Sequence, residues 1–148
     1  MTTDNANDTE YMRLALKEAQ EAYDADEIPI GAVIVSEGTV IARAHNLTET
    51  LHDVTAHAEM LAFTSASEYL GAKYLTGCTL YVTIEPCFMC AGAAGWTQID
   101  RIVYGGCDPR RGFEQCGNIL LHPKTNVTKG VLKDECEQLM KLFFKNKR

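Results

Sequence analysis

The sequence predicts an α/β fold, a sheet covered by helices on both faces. Three observations carry that prediction. Helical and strand periodicities alternate along the chain in the order α-β-β-α-β-α-β-(β)-α, and such alternation implies helices layered on a sheet. The 148 residues suit one domain, 1–148, large enough for its own hydrophobic core. Apolar residues make up 46% and charged residues 23%, the balance of a globular protein, and no apolar run approaches the length of a membrane span.

The elements follow in order. Residues 1–10 read as a frayed end. YMRLALKEAQEAYDA puts Met12, Ala15, Leu16, Ala19, Ala22 and Tyr23 on one stripe, the pattern of an amphipathic helix, and Pro29 prevents its continuation. GAVIVS and TVIARAH flank Glu37-Gly38 and read as a β-hairpin. Helical spacing returns at Ala58, Leu61, Ala62, Ser65, Ala66 and Tyr69, with Gly71 as C-cap. TLYVTI is a β-branched and aromatic strand. Pro86 suits the start of a short helix in CFMCAGAAGW, whose small residues allow close packing on a sheet. RIVYGG is a strand, CDPRRGFEQCG a loop and NVTKGV a last strand. The closing helix, LKDECEQLMKLFFKNKR, turns Leu132, Cys136, Leu139, Met140 and Phe143 inward.

The net charge of −6 is uneven. Residues 1–27 hold eight acids and two bases, whereas residues 101–148 hold ten bases and five acids. The acidic total therefore does not exclude a nucleic-acid partner, although charge alone favours a plain solvated surface. The opening MTTDNANDTE is polar and acidic and does not read as a signal peptide. Without a secretory signal, six cysteines point to free thiols and metal ligands rather than disulfides, and to the cytoplasm.

The chemistry lies in two short motifs. TAHAEM supplies His57 and Glu59, and EPCFMC supplies Cys87 and Cys90. Each motif opens a predicted helix, where free N–H groups and a partial positive charge favour thiolates. Cys87 and Cys90 are i and i+3 and share a helix face. His57 and Glu59 are about 200° apart around a helix, so both address one ion only if it sits over the helix end. One His and two Cys suit zinc, and three protein ligands leave a position for a water that the ion acidifies. Glu59 is then free to take a proton from that water, deliver it to a ring nitrogen and protonate a leaving amine, the steps of hydrolytic deamination. Taken singly, a CxxC pair can be redox-active or two core thiols, and a lone His can be a core residue. The joint pattern, H-x-E with P-C-x-x-C, is a known signature of zinc nucleobase deaminases. Cys78, Cys107, Cys116 and Cys136 are read as ordinary thiols, His45 and His52 as surface residues, and neither Cys116 nor His122 as a fourth ligand. Asn46 ends the second hairpin strand, where turn formation alone would account for it.

From about Tyr11 onward the chain resembles the cytidine deaminase-like superfamily and, within it, the bacterial tRNA-specific adenosine deaminases. EIPIGAVIV, AHN, TAHAEMLA, TLYVTIEPCFMCAGA, RIVYGG and LKDECEQLMKLFF carry the likeness. The resemblance implies a three-layer α/β/α sandwich around a five-stranded mixed sheet. It implies one zinc per subunit held by His57, Cys87 and Cys90, with Glu59 as general acid and base. Asn46 would hydrogen-bond the target base, Ile30 would pack against it, and Asp108 and Arg110 lie in the loop that meets flanking nucleotides. Homodimers are implied, with residues near the partner's site completing the groove. Against the family's Asp followed by a basic residue and then Thr-Gly-Ala, Asp108, Arg110 and Gly112 match while Arg111 and Phe113 depart, and AGWTQI departs from its usual form.

The function expected is conversion of the wobble adenosine, position 34 of a tRNA anticodon, to inosine. The anticodon loop offers a splayed base whose extrusion costs little. Arg110, Arg111 and the C-terminal lysines would meet phosphates. The alternative is a deaminase of free guanine, adenosine or cytidine. A third reading, of another class, is a non-catalytic zinc-binding interaction module, and Glu59 argues against it because a structural site needs no such carboxylate.

Overall fold

A computed structural model describes residues 3–147. Met1 and Thr2 of the expected frayed end, and Arg148 of the basic terminus, lie outside the described residues. The elements are α1 (Thr3–Asp24), β1 (Gly31–Ser36), β2 (Thr39–His45), α2 (Thr48–Leu51), α3 (Ala58–Leu70), β3 (Cys78–Ile84), α4 (Phe88–Thr97), β4 (Arg101–Gly106), β5 (Asn126–Lys129) and α5 (Lys133–Asn146). A 3-10 turn, Phe113–Cys116, lies between β4 and β5.

The five strands form one mixed sheet in the order β2-β1-β3-β4-β5. β1 runs antiparallel to β2 and β3, and β3, β4 and β5 are parallel. Alternation along each strand sorts side chains to two faces. Ala32, Ile34, Leu80, Val82, Ile102 and Tyr104 join Ala58, Ala62 and Ala66 of α3 and Ala91 and Ala94 of α4 in one core. Val33, Val35, Tyr81 and Val103 meet Met12 and Ala15 of α1 and Cys136 of α5 in the other. Helices thus cover both faces, and the expected three-layer α/β/α sandwich is the observed fold. The central strands are buried on both sides, which is why they read as nearly continuous apolar runs.

The hairpin turns at Glu37 (φ 49°) and Gly38 (φ 78°), the pair of positive φ values that a two-residue turn of this hand needs. Helix α1 packs so closely on β1 that a Cβ on Gly31 would overlap the Ala15 carbonyl. It also begins earlier than the sequence reading places it. Asp8, 1% exposed, takes both Arg101 guanidinium nitrogens at 2.8 and 2.7 Å and the Tyr81 hydroxyl at 2.8 Å, which ties the turn around residue 8 to the sheet.

Two further differences have physical causes. Helix α3 buries Ala58, Glu59, Ala62, Phe63 and Ala66, while Tyr69 is 64% exposed and Ser65 faces solvent. Its inner stripe is rotated toward Glu59 and Phe63, because the first turn must deliver residue 59 to the interior. β5 ends at Lys129 rather than Val131, since Gly130 adopts φ 86° and leaves the extended region.

Candidate active site and metal centre

His57 and Cys87 are the residues immediately before α3 and α4. Both are extended (φ −74°, ψ 154° and φ −75°, ψ 176°), and neither side chain caps its own helix. Both side chains are therefore released over the helix ends toward each other. His57 Nδ1 lies 3.6 Å from Cys87 Sγ and 3.4 Å from Cys90 Sγ. All three donor atoms fall within 4.8 Å of one another. A tetrahedral zinc with ordinary Zn–S and Zn–N bonds holds such N and S atoms about 3.6 Å apart. The donor set and its spacing fit zinc.

Glu59 sits in the first turn of α3 and is 3% exposed. Burial, reinforced by the Cys87 thiolate, pushes its carboxyl up to about 7. A carboxyl poised there can both accept and return a proton near neutral pH. The hydrogen bond from Cys90, with help from His57, brings the Cys87 thiol down to about 4, and the same bond together with burial pushes Cys90 up. The hydrogen bond to Cys87 raises the His57 pKa against the cost of burial, and the nearby Arg111 guanidinium opposes the rise.

These groups sit in a cavity of about 1020 Å³. His57, Glu59 and Cys87 line it together with Ile28, Ile30, Ile84, Phe88 and Met89. Asp108, Arg110, Arg111, Lys141 and Phe144 line it as well, from the loop after β4 and from α5. Of the residues singled out in the sequence, the structure brings Ile30, Asp108 and Arg110 to the same cavity as the metal-ligand cluster. Asp108 Oδ1 accepts the N–H groups of Arg110 and Arg111 at 3.1 Å each, which turns the loop at that point.

Asn46 is 4% exposed and stands behind the cavity lining. Its N–H donates to the Ile30 carbonyl at 3.1 Å, and its side-chain Nδ2 faces Glu27 Oε1 at 3.4 Å and Thr48 Oγ1 at 3.3 Å. Glu27 itself is fully buried and was not singled out by sequence reasoning. It accepts from the Glu49 N–H at 3.1 Å and from both the N–H and hydroxyl of Thr50 at 2.6 Å. Burial opposes its ionisation, but those hydrogen bonds hold its carboxyl below the usual range. The one signal for it in the sequence is an acid placed directly before the apolar IPIGAV run.

Cys116 and His122 are not part of the metal-ligand cluster. His45, expected at the surface, is half-buried and pairs with Glu18 at 2.9 Å. Glu18, Glu21 and His45 also cluster, but Arg43 already meets Glu18 at 3.1 Å, so this group is an ion-pair network.

Comparison with known proteins agrees with this geometry. The family described as the cytidine and deoxycytidylate deaminase zinc-binding region matches residues 5–106. A tRNA-specific adenosine deaminase of Bacillus subtilis (strain 168) is 46% identical over 143 residues, spanning 93% of this chain and 89% of its own length. One from Agrobacterium fabrum is 44% identical over 148 residues, 97% of both chains. Among solved structures, a chain from studies of A-to-I editing by tRNA:A34 deaminases at the wobble position superposes with a TM-score of 0.83. It is 43% identical and covers 88% of this chain and 99% of its own.

Proposed function

The chain belongs to the tRNA-specific adenosine deaminases of the cytidine and deoxycytidylate deaminase family, and from that premise we propose that it converts the wobble adenosine of a tRNA anticodon to inosine by hydrolysis. His57, Cys87 and Cys90 would hold the zinc, which would supply a Lewis acid and an acidified water. Glu59 manages the protons. Its carboxylate takes one from the attacking water and passes it to N1 of the adenine; it then takes the remaining proton from the new hydroxyl on C6 and gives it to the amine, which leaves as ammonia. Ile30 packs against the base, and Asn46, behind the lining, holds the Ile30 carbonyl in place. Arg110, Arg111 and Lys141 receive the phosphates of the flanking nucleotides, with Asp108 beside them.

The observation that carries this reading is the placement of one buried carboxylate beside three donors at zinc spacing, in a cavity that three cations also line. A free base would need no such cations, whereas an anticodon loop carries phosphates on either side of its target. One deaminase domain spans the chain, supported by the single sheet around which the described helices pack. It works as a homodimer. Phe88 and Trp96, 42% and 85% exposed and eight residues apart on α4, present an apolar helix face for a second copy. It works in the cytoplasm, in keeping with its six free cysteines.

The test is an inosine assay on an anticodon stem-loop with adenosine at the wobble position, run beside free adenosine, guanine and cytidine, with Glu59→Ala as control. Inosine on the stem-loop alone supports the proposal. Ammonia from a free base with no inosine on RNA replaces it with nucleobase salvage. A wild-type protein that binds zinc and deaminates none of them is a zinc-binding module.

A further inference from the structure

Glu85 separates β3 from Pro86 and Cys87, and it is only 8% exposed. Its carboxylate meets no ion-pair partner among the described residues. Instead Oε1 accepts the Asp108 N–H and Oε2 the Glu114 N–H, both at 3.0 Å. These two amides stand at opposite ends of the loop that carries Arg110 and Arg111. The loop wraps this one carboxylate so closely that a Cβ on Gly112 would overlap its oxygens. The backbone follows the same course. The Glu85 N–H donates to the Gly106 carbonyl at 2.8 Å, the Phe113 N–H to the Pro86 carbonyl at 3.0 Å, and Cys87 bridges to Gly112.

A buried carboxylate with no cation needs other donors, and two backbone amides supply them at a cost in loop freedom. The loop that meets the substrate and the strand end that carries Cys87 thus become one hydrogen-bonded unit. Resting on the tRNA-deaminase reading, we infer that Glu85 is a positioning residue for substrate recognition. It fixes Asp108, Arg110 and Arg111 at a set distance from the metal centre, so that flanking phosphates are gripped only when the target base reaches Glu59. Glu85 touches neither the reacting atoms nor the metal in this role.

Glutamine is nearly isosteric but offers one acceptor oxygen and one NH2 donor, so one of the two loop amides would face a donor. Zinc-loaded wild-type and Glu85→Gln proteins are compared on the wobble-adenosine stem-loop. The expected result is full zinc, kcat within about threefold of wild type, and KM raised roughly tenfold. The slope of log affinity against log salt becomes shallower as the arginines lose their phosphates. Unchanged KM and salt slope overturn the proposal. Loss of zinc also overturns it, because Glu85 would then serve Cys87. If Glu85→Gln does not fold, Gly112→Ala pushes the loop from the other side of the same contact. It must then raise KM with zinc retained, or the proposal fails. A wild-type protein inactive on the stem-loop removes the functional reading and this inference together, whereas an active wild type with an indifferent variant removes the inference alone.

Discussion

His57 Nδ1 stands 3.4 Å from Cys90 Sγ although thirty-three residues separate them. The two come together because α3 and α4 lie side by side on one face of the sheet and present their N-terminal ends to the same point. The expected behaviour of the site follows from that meeting.

Replacing Glu59 by Ala removes the proposed proton carrier and leaves the three donors in place. Turnover should fall about 10³-fold, within the usual range for a general acid and base. Zinc measured by atomic absorption should remain at one per chain. A variant that keeps more than a tenth of wild-type turnover would reassign the proton transfers.

Chelation should abolish activity and expose a thiol together. Cys87 becomes available to an aromatic disulfide reagent while Cys90 stays buried, so the native thiol count should rise by about one on zinc removal. Restoring zinc should reverse both effects. A count that does not change would place the metal elsewhere.

Glu27 should make stability depend on pH. Its hydrogen bonds lower its folded-state pKa below the unfolded value. The stabilisation is therefore present above the ordinary carboxylate pKa and is lost as pH falls through the lower folded-state value. Thermal unfolding from pH 7 down to pH 3 should show this decline. Glu27→Gln should flatten it while lowering stability at pH 7 by roughly 1–3 kcal/mol, because an amide cannot accept all the bonds the carboxylate holds.

Asp8→Ala should destabilise the fold by about 3 kcal/mol, since it removes the carboxylate that takes two hydrogen bonds from the Arg101 guanidinium and one from the buried Tyr81 hydroxyl. Urea unfolding would measure it. A change below about 0.5 kcal/mol would mean that the first turns of α1 are dispensable.

The layered architecture and the metal-ligand cluster were legible in the sequence for a physical reason. Apolar periodicity is local, and His57, Cys87 and Cys90 lie in two compact motifs beside helix starts. The contributions of Asp8, Glu27 and Glu85 were not legible. Each is a buried carboxylate whose partners come from distant segments, Arg101 and Tyr81 for Asp8, backbone amides with the Thr50 hydroxyl for Glu27, and backbone amides for Glu85. Backbone amides leave no trace in residue type. The inward turn of Phe63 in place of Tyr69 was hidden for a related reason, because both stripes satisfy helical spacing and only the requirement to bury Glu59 selects between them.

The two uncapped helix starts have one more consequence. Helices commonly satisfy their first amides with a side chain from the preceding residue, but before α3 and α4 that residue is His57 or Cys87, and the two side chains turn toward each other instead. A bound ion would thus act as a rivet through two separate parts of the chain, and its departure should loosen the openings of both helices in concert. Amide hydrogens near residues 58–61 and 88–91 would then exchange at a common rate set by metal occupancy. Catalyst loading and the local order of the recognition surface would rise and fall as one quantity.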